Sequence, residues 1–185
     1  MPILRRESEI FPADLFSMPD GGPWTIVHVR SRQEKAVARL FMDRKQPFYL
    51  PQIEKQVRRD GRTFKSFIPL FGGYLFIRLN DDTRQTLWST KAIVRMIQVD
   101  DQELLDQELR QIRTLQEAGA ILVAHPDIGA GDAVRIDDGV FHGYVGIVVR
   151  ELDATRLVLS ITALNKSVLA EFPRESVVAI RGAQA

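Results

Sequence analysis

"IPLFGGYLFIRL", residues 68–79, sets eight apolar side chains around Pro69 and interrupts them with Gly72-Gly73. A strand over 74–79 alternates its side chains, so Leu75, Ile77 and Leu79 point to one face and Tyr74, Phe76 and Arg78 to the other. One face belongs to a core, and the other needs a cover. Helices on one side of a sheet would leave Tyr74 and Phe76 open on the opposite side. The plainer alternative is a strand buried on both faces within the fold.

The surrounding chain supplies the rest of that sheet. "WTIVHV" (24–29) is an apolar, β-branched run that reads as a buried strand. "SRQEKAVARLFMDRKQ" places Ala36, Val37, Leu40 and Phe41 at helical spacing, with Ser31 as a cap and Pro47 as the stop. "YLPQIEKQV" and "RTFKSFI" flank "RRDG", whose Asp60-Gly61 marks a tight turn, so they form a hairpin with a charged tip. "DDTRQTLWST" looks helical and "AIVRMIQV" (92–99) extended. Asp100 or Asp101 then caps a helix carrying Leu104, Leu105, Leu109, Ile112 and Leu115. The order β, α, β-β, β, α, β, α predicts an α+β sandwich of the ferredoxin-like type over 23–118.

The stretch "EAGAILVAHPDIGAGD" breaks this pattern with Gly119, His125-Pro126, Gly129 and Gly131, and a linker is expected over 119–128. Five short strand candidates follow: "DAVRI", "YVGIVVRE", "RLVLSI", "SVLAEF" and "VVAI". Their regular spacing predicts a small β-barrel over 129–182. Residues 1–22, without a signal-peptide-like apolar run, read as a flexible polar tail.

Composition narrows the function. The 185 residues contain no cysteine, which rules out disulfides and thiolate metal sites and favours a reducing, cytoplasmic compartment. No stretch reaches the roughly 18 apolar residues of a membrane span. The net charge of +1 hides an asymmetry: residues 24–78 carry 12 Lys and Arg against 4 Asp and Glu. Such a field attracts a polyanion, although charge alone also fits a solvated surface.

The segment "GDAVRIDDGVFHGYVGIVVREL" resembles a KOW motif, the short signature of certain ribosomal and transcription-factor domains, with glycines where a small barrel turns tightly. Together with "WTIVHVRSRQEKAVARL" and "YLPQIEKQVRRDGRTFKSFIPLFGGYLFIRL", it makes residues 24–181 resemble the NusG family of transcription elongation factors. "SRQEK" and "PLFGGYLF" look closest to the operon-restricted antiterminators of that family. The resemblance implies a ferredoxin-like N-terminal domain bound to RNA polymerase and an SH3-like five-stranded KOW β-barrel that recruits other factors.

By motif match, the resemblance implies that Phe71, Tyr74 and Phe76, framed by Pro69 and Leu70, meet the clamp helices of the polymerase's largest subunit. Aromatic side chains of this kind bury about 150–250 Å2 each and make strong contacts. It also implies that Arg30, Arg32 and Lys35, the hairpin residues Arg58, Arg59 and Arg62, and Lys91 face upstream or non-template DNA, where phosphate contacts carry no sequence information. Arg30 is the leading single candidate. Lys91-Ala92 and Asn165-Lys166 depart from the family pattern. Asn tolerates the left-handed turn that a glycine would occupy. Leu164, Val168 and Leu169 are either a contact for a small-subunit ribosomal protein or termination factor Rho, or barrel core.

Catalytic chemistry finds no foothold. His28, His125 and His142 are scattered, no GxxxxGK[ST] or GxSxG pattern occurs, and Asp137-Asp138 sits in a turn. The expectation is a monomeric, non-enzymatic protein without cofactor or metal. A rival reading is an RNA-binding or ribosome-associated module, since "GGYLFIRL" weakly resembles the base-stacking strand of an RNA-recognition motif.

Overall fold

The structure, a computed structural model, describes residues 4–18, 21–79, 90–125, 133–135, 145–151 and 154–172. The chain divides into two compact units, residues 1–106 and 107–185.

The first unit is built on an antiparallel sheet of β1 (Ile10–Phe11), β3 (Phe48–Tyr49), β6 (Tyr74–Arg78), β2 (Trp24–Val29) and β7 (Ile93–Gln98), in that spatial order. The apolar runs read as strands are strands, and the register places Ile26 opposite both Phe76 and Ile97 and His28 opposite both Tyr74 and Arg95. Helix α1 (Glu34–Asp43) covers one face, where Val27, Val29, Leu75 and Ile77 meet Val37 and Phe41. Each such buried side chain contributes about 1.5–3 kcal/mol. The helix starts after Gln33, and no side chain caps it, so the role predicted for Ser31 is not taken.

The hairpin consists of β4 (Gln52–Arg59) and β5 (Arg62–Pro69), joined by Asp60 and Gly61 with φ of 51° and 74°. Two consecutive left-handed residues give the twist that a two-residue hairpin turn needs. This pair forms a two-stranded sheet of its own.

The opposite face of the main sheet is covered around Phe76, Ile26 and Trp24, contrary to the open face expected, and is accessible toward Tyr74, His28 and Arg95. Phe76 is 0% exposed and β6 is buried on both sides over Leu75–Ile77. Part of that cover is the N-terminal segment expected to be a flexible tail. β1 pairs with β3, Leu15 is fully buried, and Phe16 meets Trp24 at 5.7 Å and Tyr49 at 5.3 Å. Helix α2 (Gln102–Glu117) begins with Asp101 capping the Leu104 N–H at 2.9 Å, as its sequence predicts. Its Gln102 side chain exchanges two hydrogen bonds with the backbone of Trp24, at 2.6 and 3.0 Å. In this unit Leu105 is buried and Leu104 exposed, and further along the helix Leu109, Ile112 and Leu115, which belong to the second unit, are buried.

In the second unit an antiparallel sheet runs β8 (Ile121–His125), β12 (Lys166–Phe172), β11 (Ala154–Ile161), β10 (Val145–Glu151) and β9 (Ala133–Arg135). Four of these correspond to predicted strands. The fifth, β8, lies within the segment read as linker, where its apolar "ILV" belongs to a strand that pairs with β12 from Ile121–Glu171 to His125–Ser167. The candidate strand "VVAI", the helical stretch "DDTRQTLWST" and the Gly139 and Phe141–Gly143 bends lie outside the described residues.

Candidate functional site

The glycine pair in the opening stretch forms a turn in which the Tyr74 N–H donates to the Phe71 carbonyl at 3.0 Å. Gly73 has φ of 83°, a conformation that costs any residue with a Cβ roughly 1–2 kcal/mol. Its N–H donates to the buried Glu34 carboxylate at 2.7 Å, and its carbonyl accepts from the Val29 N–H at 2.8 Å. Helix α1 and strand β2 thereby fix the turn from two sides. The "SRQEK" and "PLFGGYLF" segments, 39 residues apart at this bond, are physically joined.

What the turn presents differs from the expected aromatic trio. Phe71 is 3% exposed and packs edge-on against Phe76 at 5.8 Å, while Phe76 reaches Tyr49 at 6.5 Å. Leu70 is buried as well. Phe71, Phe76 and Leu70 are therefore interior residues, because their face is covered from within the chain. Tyr74 and Pro69 remain half-exposed. Tyr74 stacks on His28 with centroids 4.9 Å apart and planes 20° apart. His28 is half-buried, and its Nδ1 has no hydrogen-bond partner.

Cations border this stack. Arg95 stands opposite His28 on β7, so Tyr74, His28 and Arg95 form one row across three strands. The Arg30 N–H donates to the Ala92 carbonyl at 2.9 Å, which brings Arg30 beside Lys91. Arg30, Arg32, Lys91 and Arg95 are exposed, and none forms an ion pair among the described residues. Arg32 has φ of 65°. Unpaired surface cations keep their full long-range field for an incoming polyanion.

Arg58, Arg59 and Arg62 are exposed near the hairpin tip, with Arg59 and Arg62 directly opposite each other. Arg59 lies 3.5 Å from Asp60. Like charges facing each other across a ribbon are unfavourable alone and are relieved by an anionic partner.

Lys35 is misassigned by the sequence reading. It is buried at 9% exposure, its ammonium donates to the Arg5 carbonyl, and burial pulls its pKa below 10.5. It holds the N-terminal segment instead of reaching DNA. In the second unit, Val168 and Leu169 are buried within the sheet, so neither forms an open partner surface. Leu164 is half-exposed in a 3-10 turn ending at Asn165, whose φ of 49° is the left-handed geometry expected there. The Glu108 carboxylate accepts from the Thr162 N–H at 3.0 Å and from its hydroxyl at 2.6 Å.

Sequence reasoning missed three participants. Glu34 is given no role by the sequence reading, and His28 enters it only as one of three scattered histidines. Arg95 was legible as the only charge in "AIVRMIQV", an apolar strand where a cation needs a reason. No cluster of metal-binding side chains occurs among the described residues.

Comparison with curated proteins gives no match. The family model described as NusG, transcription termination factor nusG, matches residues 22–113, which include the Phe71–Tyr74 turn and Arg30, Lys91 and Arg95, and supports membership of that family.

Proposed function

We propose that the protein is a transcription elongation or antitermination factor that binds the clamp helices of RNA polymerase's largest subunit and suppresses pausing and termination. A NusG domain supports transcription elongation or termination in general. The observation that carries the finer reading is the accessible Tyr74–His28 stack on a Glu34-anchored turn, bordered by unpaired Arg30, Lys91 and Arg95. A rigid, half-exposed aromatic pair gives a protein partner contact area at little entropic cost. The adjoining cations suit upstream or non-template DNA, with Arg58, Arg59 and Arg62 adding phosphate contacts from the hairpin.

The protein works by binding alone, in the cytoplasm and as a monomer. The Leu164 turn is the candidate contact of its second unit for a small-subunit ribosomal protein or Rho. "SRQEK" and "PLFGGYLF" favour service to particular operons. No helix among the described residues is long and apolar enough to cross a membrane.

The test is polymerase co-purification with Tyr74→Ala and His28→Ala variants. Loss of polymerase with unchanged thermal unfolding supports the assignment, and full retention overturns it. The same stack beside cations also suits a nucleobase, as in RNA-binding modules. Crosslinking from position 74 distinguishes the readings by whether protein or RNA is captured.

A further inference from the structure

The N-terminal segment crosses three elements in its first six described residues. The Leu4 N–H donates to the buried Ser66 Oγ at 3.0 Å, and the Leu4 carbonyl accepts from the Phe67 N–H at 2.9 Å. Leu4 thus brackets β5 as a short third strand would. The Arg5 carbonyl holds the Lys35 ammonium of α1, and the Arg6 guanidinium lies 5.6 Å over the Phe67 ring. The Arg39 Nη1 of α1 donates to both oxygens of the Glu7 carboxylate, at 2.5 and 2.7 Å, while the Glu7 carbonyl accepts from Gln52 at the root of β4 at 3.1 Å. The Glu9 carbonyl accepts from the Leu50 N–H at 2.6 Å.

We infer that residues 4–9 are a positioning strap that sets the aim of the β4–β5 hairpin, with Leu4, Glu7 and Ser66 as its positioning residues. A two-stranded ribbon is at best marginally stable by itself, and this one forms a sheet separate from the main one. The strap grips both hairpin strands at their base and ties them to helix α1. The same helix holds the Gly73 turn: Glu34 anchors the turn and the adjacent Lys35 anchors the strap. Two neighbouring residues of "SRQEK" therefore fix the two elements that present Tyr74 and the hairpin arginines. A loose hairpin would spread its arginines over many orientations, and the ordering cost would fall on binding. The nucleic-acid part of this inference rests on the proposed DNA contact of the hairpin.

The experiment uses the full chain with Glu7→Gln plus Ser66→Ala, and Glu7→Gln alone as the surface variant that spares the core. Amide hydrogen exchange should accelerate roughly tenfold or more over 53–65 while β2 and β6 keep their protection. Binding to a labelled mixed-sequence DNA 20-mer should weaken several-fold. Its salt dependence should become shallower, a change that lost stability alone would not produce. Unchanged hairpin exchange in both variants, or acceleration shared equally by β2 and β6, overturns the strap. An Arg58→Ala, Arg59→Ala, Arg62→Ala variant is the separate control: unchanged DNA affinity there refutes the hairpin contact, while the exchange data still decide the strap.

Discussion

At the scale of single residues, burial divides the aromatics of one strand into two roles. Phe76, enclosed by Phe71, Tyr49 and the strand's own neighbours, carries packing energy. Phe76→Ala should cost about 3–5 kcal/mol in urea unfolding, because a large cavity opens in a rigid interior. Tyr74→Ala should cost far less and act on partner binding, since this residue is half-exposed. A Phe76→Ala variant with unaltered stability would show that this face is open after all. Lys35 gives a prediction in pH. Its folded pKa lies below 10.5, chiefly through loss of hydration, with Arg39 acting in the same direction and Glu7 and Glu9 opposing it. The unfolded chain then holds the proton more tightly, so this group's contribution to stability rises with pH between the lowered value and about 10.5. Titration of the Lys35 side-chain amine by NMR should place its midpoint below the ordinary lysine value of 10.5.

At the scale of elements, the second sheet face is closed by polar keystones as well as by apolar side chains. Asp106, at the start of α2, accepts from the Trp24 indole N–H at 2.8 Å and pairs with Arg78 at 2.6 Å. Arg78 in turn lies 4.2 Å over the Trp24 ring. Asp106→Ala leaves two largely desolvated donors without this acceptor, and we expect a loss of about 3 kcal/mol, against much less for the exposed Glu117→Ala. Urea midpoints at equal slope would measure the difference. These contacts also mark where the sequence stopped being readable. β2, β6 and the hairpin were legible because an apolar β-branched run, alternation and Asp60-Gly61 are local signals. The covers were not: Trp24 meets Asp106 82 residues away, and Phe16 reaches Tyr49 from a segment with no apolar period. Lys35 looked like surface for the same reason, since its partner Arg5 lies 30 residues earlier in the sequence. The glycine turn was legible as a bend, but its anchor Glu34 was hidden among the charges of α1.

At the scale of the molecule, the charge asymmetry has a defined geometry. Of the cations between 24 and 78, Lys35 is buried, Arg39 is paired with Glu7, and Arg78 is paired with Asp106. These therefore contribute little to an outward field. The cations that remain free to act outward include Arg30 and Arg32, joined from outside that segment by Lys91 and Arg95. A DNA strand laid against this corner would release about one counterion for each phosphate neutralised, so affinity must fall with salt on a logarithmic slope. Replacing Arg30, Lys91 and Arg95 together with glutamine should make that slope shallower by about three units and weaken all sequences alike. Because the three side chains are exposed, thermal unfolding should stay nearly constant. Polymerase binding through Tyr74 should persist in the triple variant, whereas Tyr74→Ala should leave the salt slope on free DNA intact. Independent loss of the two activities would establish separate surfaces on one domain. A salt slope unchanged by all three replacements would instead assign this corner to solvent and leave DNA contact to the hairpin.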